Sequence, residues 1–186
     1  MGFRKLAAMF SVVAVASAIV GCSSDTASTP SGSSGTTGAL YERLGKAPGI
    51  AKAITAIVDA ELKDPEIASF FFNQVKTTIP AGHPSRAQIE ECLVAQLGNA
   101  AGGPEKFPTM VSGGFTCRDM RAAHVGLGIP NGTFSKFITI AAGVLKGAGV
   151  ADADITTIGK VLDSARPDTV QDTTRDGGGF QAPDGG

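Results

Sequence analysis

The stretch RDMRAAHVGLGI, residues 118–129, carries one of only two histidines in this chain of 186 residues. A neutral imidazole nitrogen is a good metal ligand, and the second ring nitrogen can be fixed by a helix carbonyl. His124 stands one helical turn after Met120 and close to Leu127, so a helix here would turn its ring toward apolar neighbours. Two readings are open on these residues alone: a metal ligand in a dry pocket, or a core or surface histidine with an ordinary hydrogen bond. The other histidine, His83 in GHPSRAQ, precedes a proline in a glycine-containing loop. That setting more often leaves a ring in solvent, although it could swing in as a second ligand.

The cysteines carry the next chemistry. Arg4 and Lys5 are followed by an apolar run, Leu6 to Val20, of the length of a secretory h-region. The run is short and rich in small residues for a spanning helix. It closes on IVGCSS, which resembles a bacterial lipobox with Ile19 where leucine is usual. In that motif the cysteine is lipidated and becomes the new N-terminus, so the expectation is a signal peptide over 1–21 and a lipid anchor on Cys22. An ordinary secretory signal or a start-anchor helix is the alternative. Export places Cys92 and Cys117 in an oxidising compartment, where two cysteines suggest a disulfide. Cys92 could equally serve as a small apolar wall residue.

Composition then sets the domain limits. Residues 22–38 are rich in Ser, Thr and Gly, with no apolar side chain larger than alanine after Cys22. Such a segment cannot bury a core and behaves as a flexible tether. The end of the chain, 171–186, is equally poor in core-forming residues and is expected to be a disordered tail. One domain over 39–170 is left. Without residues 1–21 the chain keeps 14 basic and 17 acidic residues, a net charge of about −3. No basic cluster points to nucleic acid.

Helices must position these residues. IAKAITAIVDAEL places Ile50, Ile54, Ile57, Val58 and Leu62 on helical spacing. Asp64 is a plausible cap for PEIASFFF, and SRAQIEECLVAQLG runs from a Ser85 cap to Gly98. A short helix over 118–127, a long apolar one over 132–149 and an amphipathic one over 152–165 complete the set. No stretch alternates with period two over strand length. The expected class is all-α.

In this order, LYERLG (40–45), DPEIASFF (64–71), QIEECLVAQLG (88–98) and RDMRAAHVGLGI (118–129) resemble the group I truncated haemoglobins. The likeness spans about residues 39–165. It implies a shortened globin, with two helices stacked on two others around haem b. It also implies glycine pairs between helices; the second is Gly102-Gly103 here, and the first is reduced to Gly45-Lys46. By position His124 resembles the proximal ligand of the haem iron, with Met120 packing under the porphyrin. Phe71 matches the aromatic that wedges the haem, while Phe134 and Phe137 could line the pocket or simply fill core. Gln88 matches a distal glutamine whose amide donates to bound dioxygen.

The distal side departs from the family. Gapless alignment puts Val58, preceded by Ile57, where the family carries a tyrosine, and Tyr41 falls on the first helix instead. An aliphatic side chain cannot donate a hydrogen bond. The implied function is a membrane-anchored haem protein that binds a diatomic gas, O2, NO or CO, on the outer or periplasmic side. Dioxygenation of NO or a peroxidase reaction is the alternative. It would require an external reductase, since the chain has no flavin or NAD motif. A third reading is a globin-shaped partner-binding lipoprotein without haem.

Overall fold

The computed structural model describes residues 39–71 and 82–172. The expected signal peptide, the Cys22 tether and the tail from residue 173 lie outside them. Within them the chain forms α1 (Leu40–Arg43), α2 (Lys46–Glu61), α3 (Pro65–Ala68), α4 (Arg86–Ala100), α5 (Met120–His124), α6 (Asn131–Gly147), α7 (Asp152–Ser164) and α8 (Arg166–Thr169). A 3₁₀ turn, Ser69–Phe71, continues α3. Only isolated bridges, Met110 with Thr116 and Pro130 with Asp172, interrupt the all-helical pattern of the described residues.

Capping chemistry sets several starts. Asp64 accepts from the amides of Glu66 and Ile67, and Pro65 occupies the first turn, so α3 begins where the sequence placed it. Asp119 accepts from the Ala122 amide at 2.8 Å and starts α5. The expected stop at Gly98 is different. The α4 helix runs on to Ala100, and Gly98 is buried within it, where a Cβ would meet the Glu105 side chain. Close approach, not helix termination, requires that glycine. The reversal comes at Gly102, with φ of 84°, while a Cβ on Gly103 would collide with the Tyr41 ring.

Tyr41 is thus structural. Its hydroxyl donates to Glu105 at 2.6 Å and accepts from the Ala47 amide at 3.2 Å. These bonds fasten α1 to the loop after α4 and to the start of α2. Arg43 reaches the other layer, with Nη2 2.6 Å from the buried Asp154 carboxylate on α7.

In the layering, α2 packs against α4 and α6, and α6 packs against α7. Ile50, Ile54 and Val58 from α2 share the main core with Leu97, Ala141, Leu145, Ile155 and Ile158. Each fully buried Leu or Ile side chain contributes about 1.5–3 kcal/mol. A second cluster gathers Ile129, Phe134 and Ile138, with Phe70, Leu127 and Phe137 packed onto it. The folded region extends past the expected limit at residue 170. Gln171 and Asp172 bond through their backbones to Ile129 and Asn131.

Candidate functional site

Between the two clusters lies a cavity of about 450 Å³, within the usual range for small-molecule sites. One wall comes from α2 and α4 through Ile54, Ile57, Leu93 and Leu97. The other comes from α5, α6 and α7 through Met120, His124, Phe134, Phe137, Ala141 and Leu162. Phe71 closes an edge from the 3₁₀ turn after α3. Its segment is pinned to α6. Lys136 lies 2.6 Å from Asp64 and 3.2 Å from Glu66, and the Thr133 hydroxyl donates to Glu66. Phe134 and Phe137 stack with centroids 5.8 Å apart, and the Arg166 guanidinium lies 4.9 Å from the Phe134 centroid.

His124 is held by its own helix and by the end of the fold. Its Nδ1 lies 2.7 Å from the Met120 carbonyl oxygen, a bond that requires Nδ1–H. The Nε2 lone pair is then the group left for a ligand. Burial pulls the ring below the usual histidine range, only partly offset by the Met120 bond, so the imidazole is neutral at pH 7. Gln171 fixes the helix end from outside: its Nε2 donates to the His124 carbonyl at 2.9 Å, and its Oε1 accepts from Gly128 at 2.7 Å. No local pattern marks this clamp, because it forms across 47 residues.

Five of the six side chains expected around a cofactor line one cavity: Phe71, Met120, His124, Phe134 and Phe137. Gln88 does not. As the third residue of α4 it completes a capping box with Ser85. Its Oε1 accepts from the Ser85 amide at 2.8 Å, and its Nε2 donates to the Ser112 carbonyl at 2.9 Å. Both ends of the amide are used outside the cavity. The signal was present in the sequence, since Ser-x-x-Gln ahead of an apolar run is the capping-box pattern. The glutamine that does line the cavity is Gln96, two turns further along α4.

Val58 is corrected in the same way. It is 3% exposed in the main core, and the α2 face that lines the cavity is Ile54, Ile57 and Glu61. Successive helix positions differ by about 100°, so a one-residue slip in alignment points to the wrong side. His83 and Arg118 lie at the exposed edge of the cavity.

Cys92 lines the cavity and is also bonded to Cys117, so both readings of this cysteine hold together. The bridge spans 25 residues and joins α4 to the loop that leads into α5. On the chain-entropy model such a loop contributes about 3.5 kcal/mol. Reduction and alkylation should therefore lower the melting temperature by roughly 10 °C or more for a domain of this size. Two titratable thiols on untreated protein, or a melting temperature indifferent to reductant, would remove the bridge.

Among the described residues no group of three or more His, Cys, Asp and Glu could hold a metal ion. A lone imidazole suits a metal that arrives with its other ligands.

The chain matches no protein-family model and no curated protein sequence. It is similar to the crystal structure of truncated hemoglobin from Tetrahymena pyriformis in its Fe(III) form. The identity is 25% and the TM-score 0.58, covering 72% of this chain and 98% of that one. Two single-residue mutants of the same protein, also in the Fe(III) form, match with the same values. The helix order, the two layers and this likeness together establish that the chain has the all-α fold of a truncated globin.

Proposed function

We propose that the cavity holds haem b and that the chain is a haem protein of the group I truncated type, binding a diatomic gas such as O2, NO or CO. The observation that carries this reading is His124. It is a neutral imidazole with Nδ1 committed to its own helix, in a largely apolar cavity, and the described residues include no cluster of three or more metal-ligating side chains. The donor set fits haem, whose iron arrives with four ring nitrogens and takes one imidazole from the protein. Met120, Phe71, Phe134 and Phe137 would pack against the porphyrin, and Arg118 at the edge would meet its carboxylates. Bound haem supplies an iron site for a gas ligand. His124 would supply one nitrogen ligand, and the apolar lining would exclude water and hold the group in place. The likeness to Fe(III) truncated hemoglobin structures supports the reading.

Absorption spectra of oxidised, reduced and CO-treated protein test it. A Soret band that shifts with CO is expected, and colourless protein that takes up no added haem would leave a globin-shaped partner-binding chain instead.

The proposal includes export and a lipid anchor at Cys22. The support is the sequence alone: the basic start, the apolar run and Gly21-Cys22 ahead of a Ser/Thr/Gly tether. No helix of the described residues is long and apolar enough to cross a membrane. Fractionation of cells should find the intact chain with membranes and Cys22→Ser in a soluble or unprocessed form. A processed Cys22→Ser chain still on the membrane would rule out the anchor.

A further inference from the structure

A buried acid lines this cavity, and the roles assigned so far leave it unused. Glu61, the last residue of α2, is 1% exposed, and its Oε1 has no hydrogen-bond partner among the described residues. Native proteins seldom leave a buried polar atom unpaired without a functional use for it. Burial pushes the Glu61 carboxyl up to about 9. At neutral pH it therefore keeps its proton and presents an O–H donor.

The other cavity groups narrow the choice. Ile54 and Ile57, on the same face of α2, are aliphatic. The Thr133 hydroxyl donates to Glu66, and the Thr169 hydroxyl donates to the Ala165 carbonyl at 2.9 Å. Nδ1 of His124 is committed to Met120. Gln96 on α4 is half-buried, and His83 and Arg118 stand at the solvent-exposed edge. The donor most removed from water is on α2, which pairs with α4 and α6, whereas α5 with His124 packs on α8.

We propose that Glu61 is the hydrogen-bond donor to a gas ligand in this cavity, and that it sets the preference for dioxygen over carbon monoxide. The inference rests on the haem and gas reading above. A bound dioxygen carries partial negative charge and gains from a donor in a dry, low-dielectric site, whereas carbon monoxide gains little.

The test compares dissociation of O2 and CO, by ligand replacement, from wild type, Glu61→Leu, Glu61→Gln and Gln96→Leu, each loaded with haem. Glu61→Leu should release O2 about 10- to 150-fold faster, with CO release changed less than about threefold. Glu61→Gln keeps a neutral donor and should stay within about fivefold of wild type for both gases. Infrared difference spectra between the O2 and CO forms supply an independent readout. A protonated carboxyl band should shift in wild type and be missing from Glu61→Gln.

Unchanged O2 release in Glu61→Leu, or equal changes for both gases, would overturn the proposal while leaving the haem reading intact. So would faster O2 release in Gln96→Leu alone, which would assign the donor to α4. Failure of wild type to bind haem or either gas overturns the underlying reading itself. The same infrared band in haem-free protein still reports whether the acid is protonated.

Discussion

Replacing His124 with alanine is expected to abolish normal haem retention, weakening it by at least about 100-fold. Loss of outer partners of metal ligands typically costs 10- to 100-fold, and removal of the ligand itself should cost no less. Among the described residues no other imidazole faces the cavity from a buried position. His83 is exposed at the edge, and Met120 and the phenylalanines offer packing rather than a strong nitrogen donor. The fold should survive, because the His124 side chain bonds only within its own helix and belongs to neither core cluster. Haem content per chain, the Soret band and helical circular dichroism should be measured together. Imidazole added to His124→Ala should restore part of the spectrum by entering the vacated space. Unchanged haem content and spectrum in His124→Ala would show that another residue holds the iron.

The second large effect is on stability as a function of pH. The folded-state carboxyl of Glu61 titrates near 9, against an ordinary value of 4.5. Between those values the folded chain holds a proton that the unfolded chain has released, so stability falls as pH rises. The slope approaches 1.36 kcal/mol per pH unit, or about 3 kcal/mol by pH 7 and about 6 kcal/mol across the window. Structural relaxation and water entry make these upper figures. Glu61→Gln keeps the shape without the titration. Its advantage over wild type should grow steadily from pH 5 to pH 9. The other ionisable groups on the cavity besides His124 are Arg118 and His83, which lie at its exposed edge. His124, held neutral by burial, acts with the opposite sign: its contribution is lost as pH falls through the histidine range. Denaturant melts at several pH values check this directly. Parallel profiles for wild type and Glu61→Gln would mean that water or a neighbour solvates the carboxylate.

The capping box shows where reading by resemblance and reading by local chemistry part company. Gln88 occupied a family position for a distal donor and also the third position after Ser85, and the local bond won. Two short-range hydrogen bonds at the start of α4 form without any help from the rest of the fold. The same competition explains Gly98. A glycine at the end of an apolar periodic run reads as a stop, yet here it admits Glu105 against the helix.

What the sequence determined was whatever local rules can enforce. Periodicity at 3.6 residues specified the long helices, Asp64, Ser85 and Asp119 specified starts, and the spacing of Met120 to His124 specified a ring whose Nδ1 returns to its own backbone. Which face of α2 lines the cavity was decided only by the packing of α2 between α4 and α6. That packing keeps Val58 within the core and away from the cavity, whereas Ile57 and Glu61 form part of the cavity wall. The clamp of Gln171 on the His124 carbonyl and the lack of a partner for Glu61 Oε1 among the described residues are likewise tertiary. A charged residue at the end of an amphipathic helix reads as solvent-facing, because its usual hydration favours the surface. Only when neighbouring helices remove that water does the carboxyl retain its proton and become a neutral donor inside the protein.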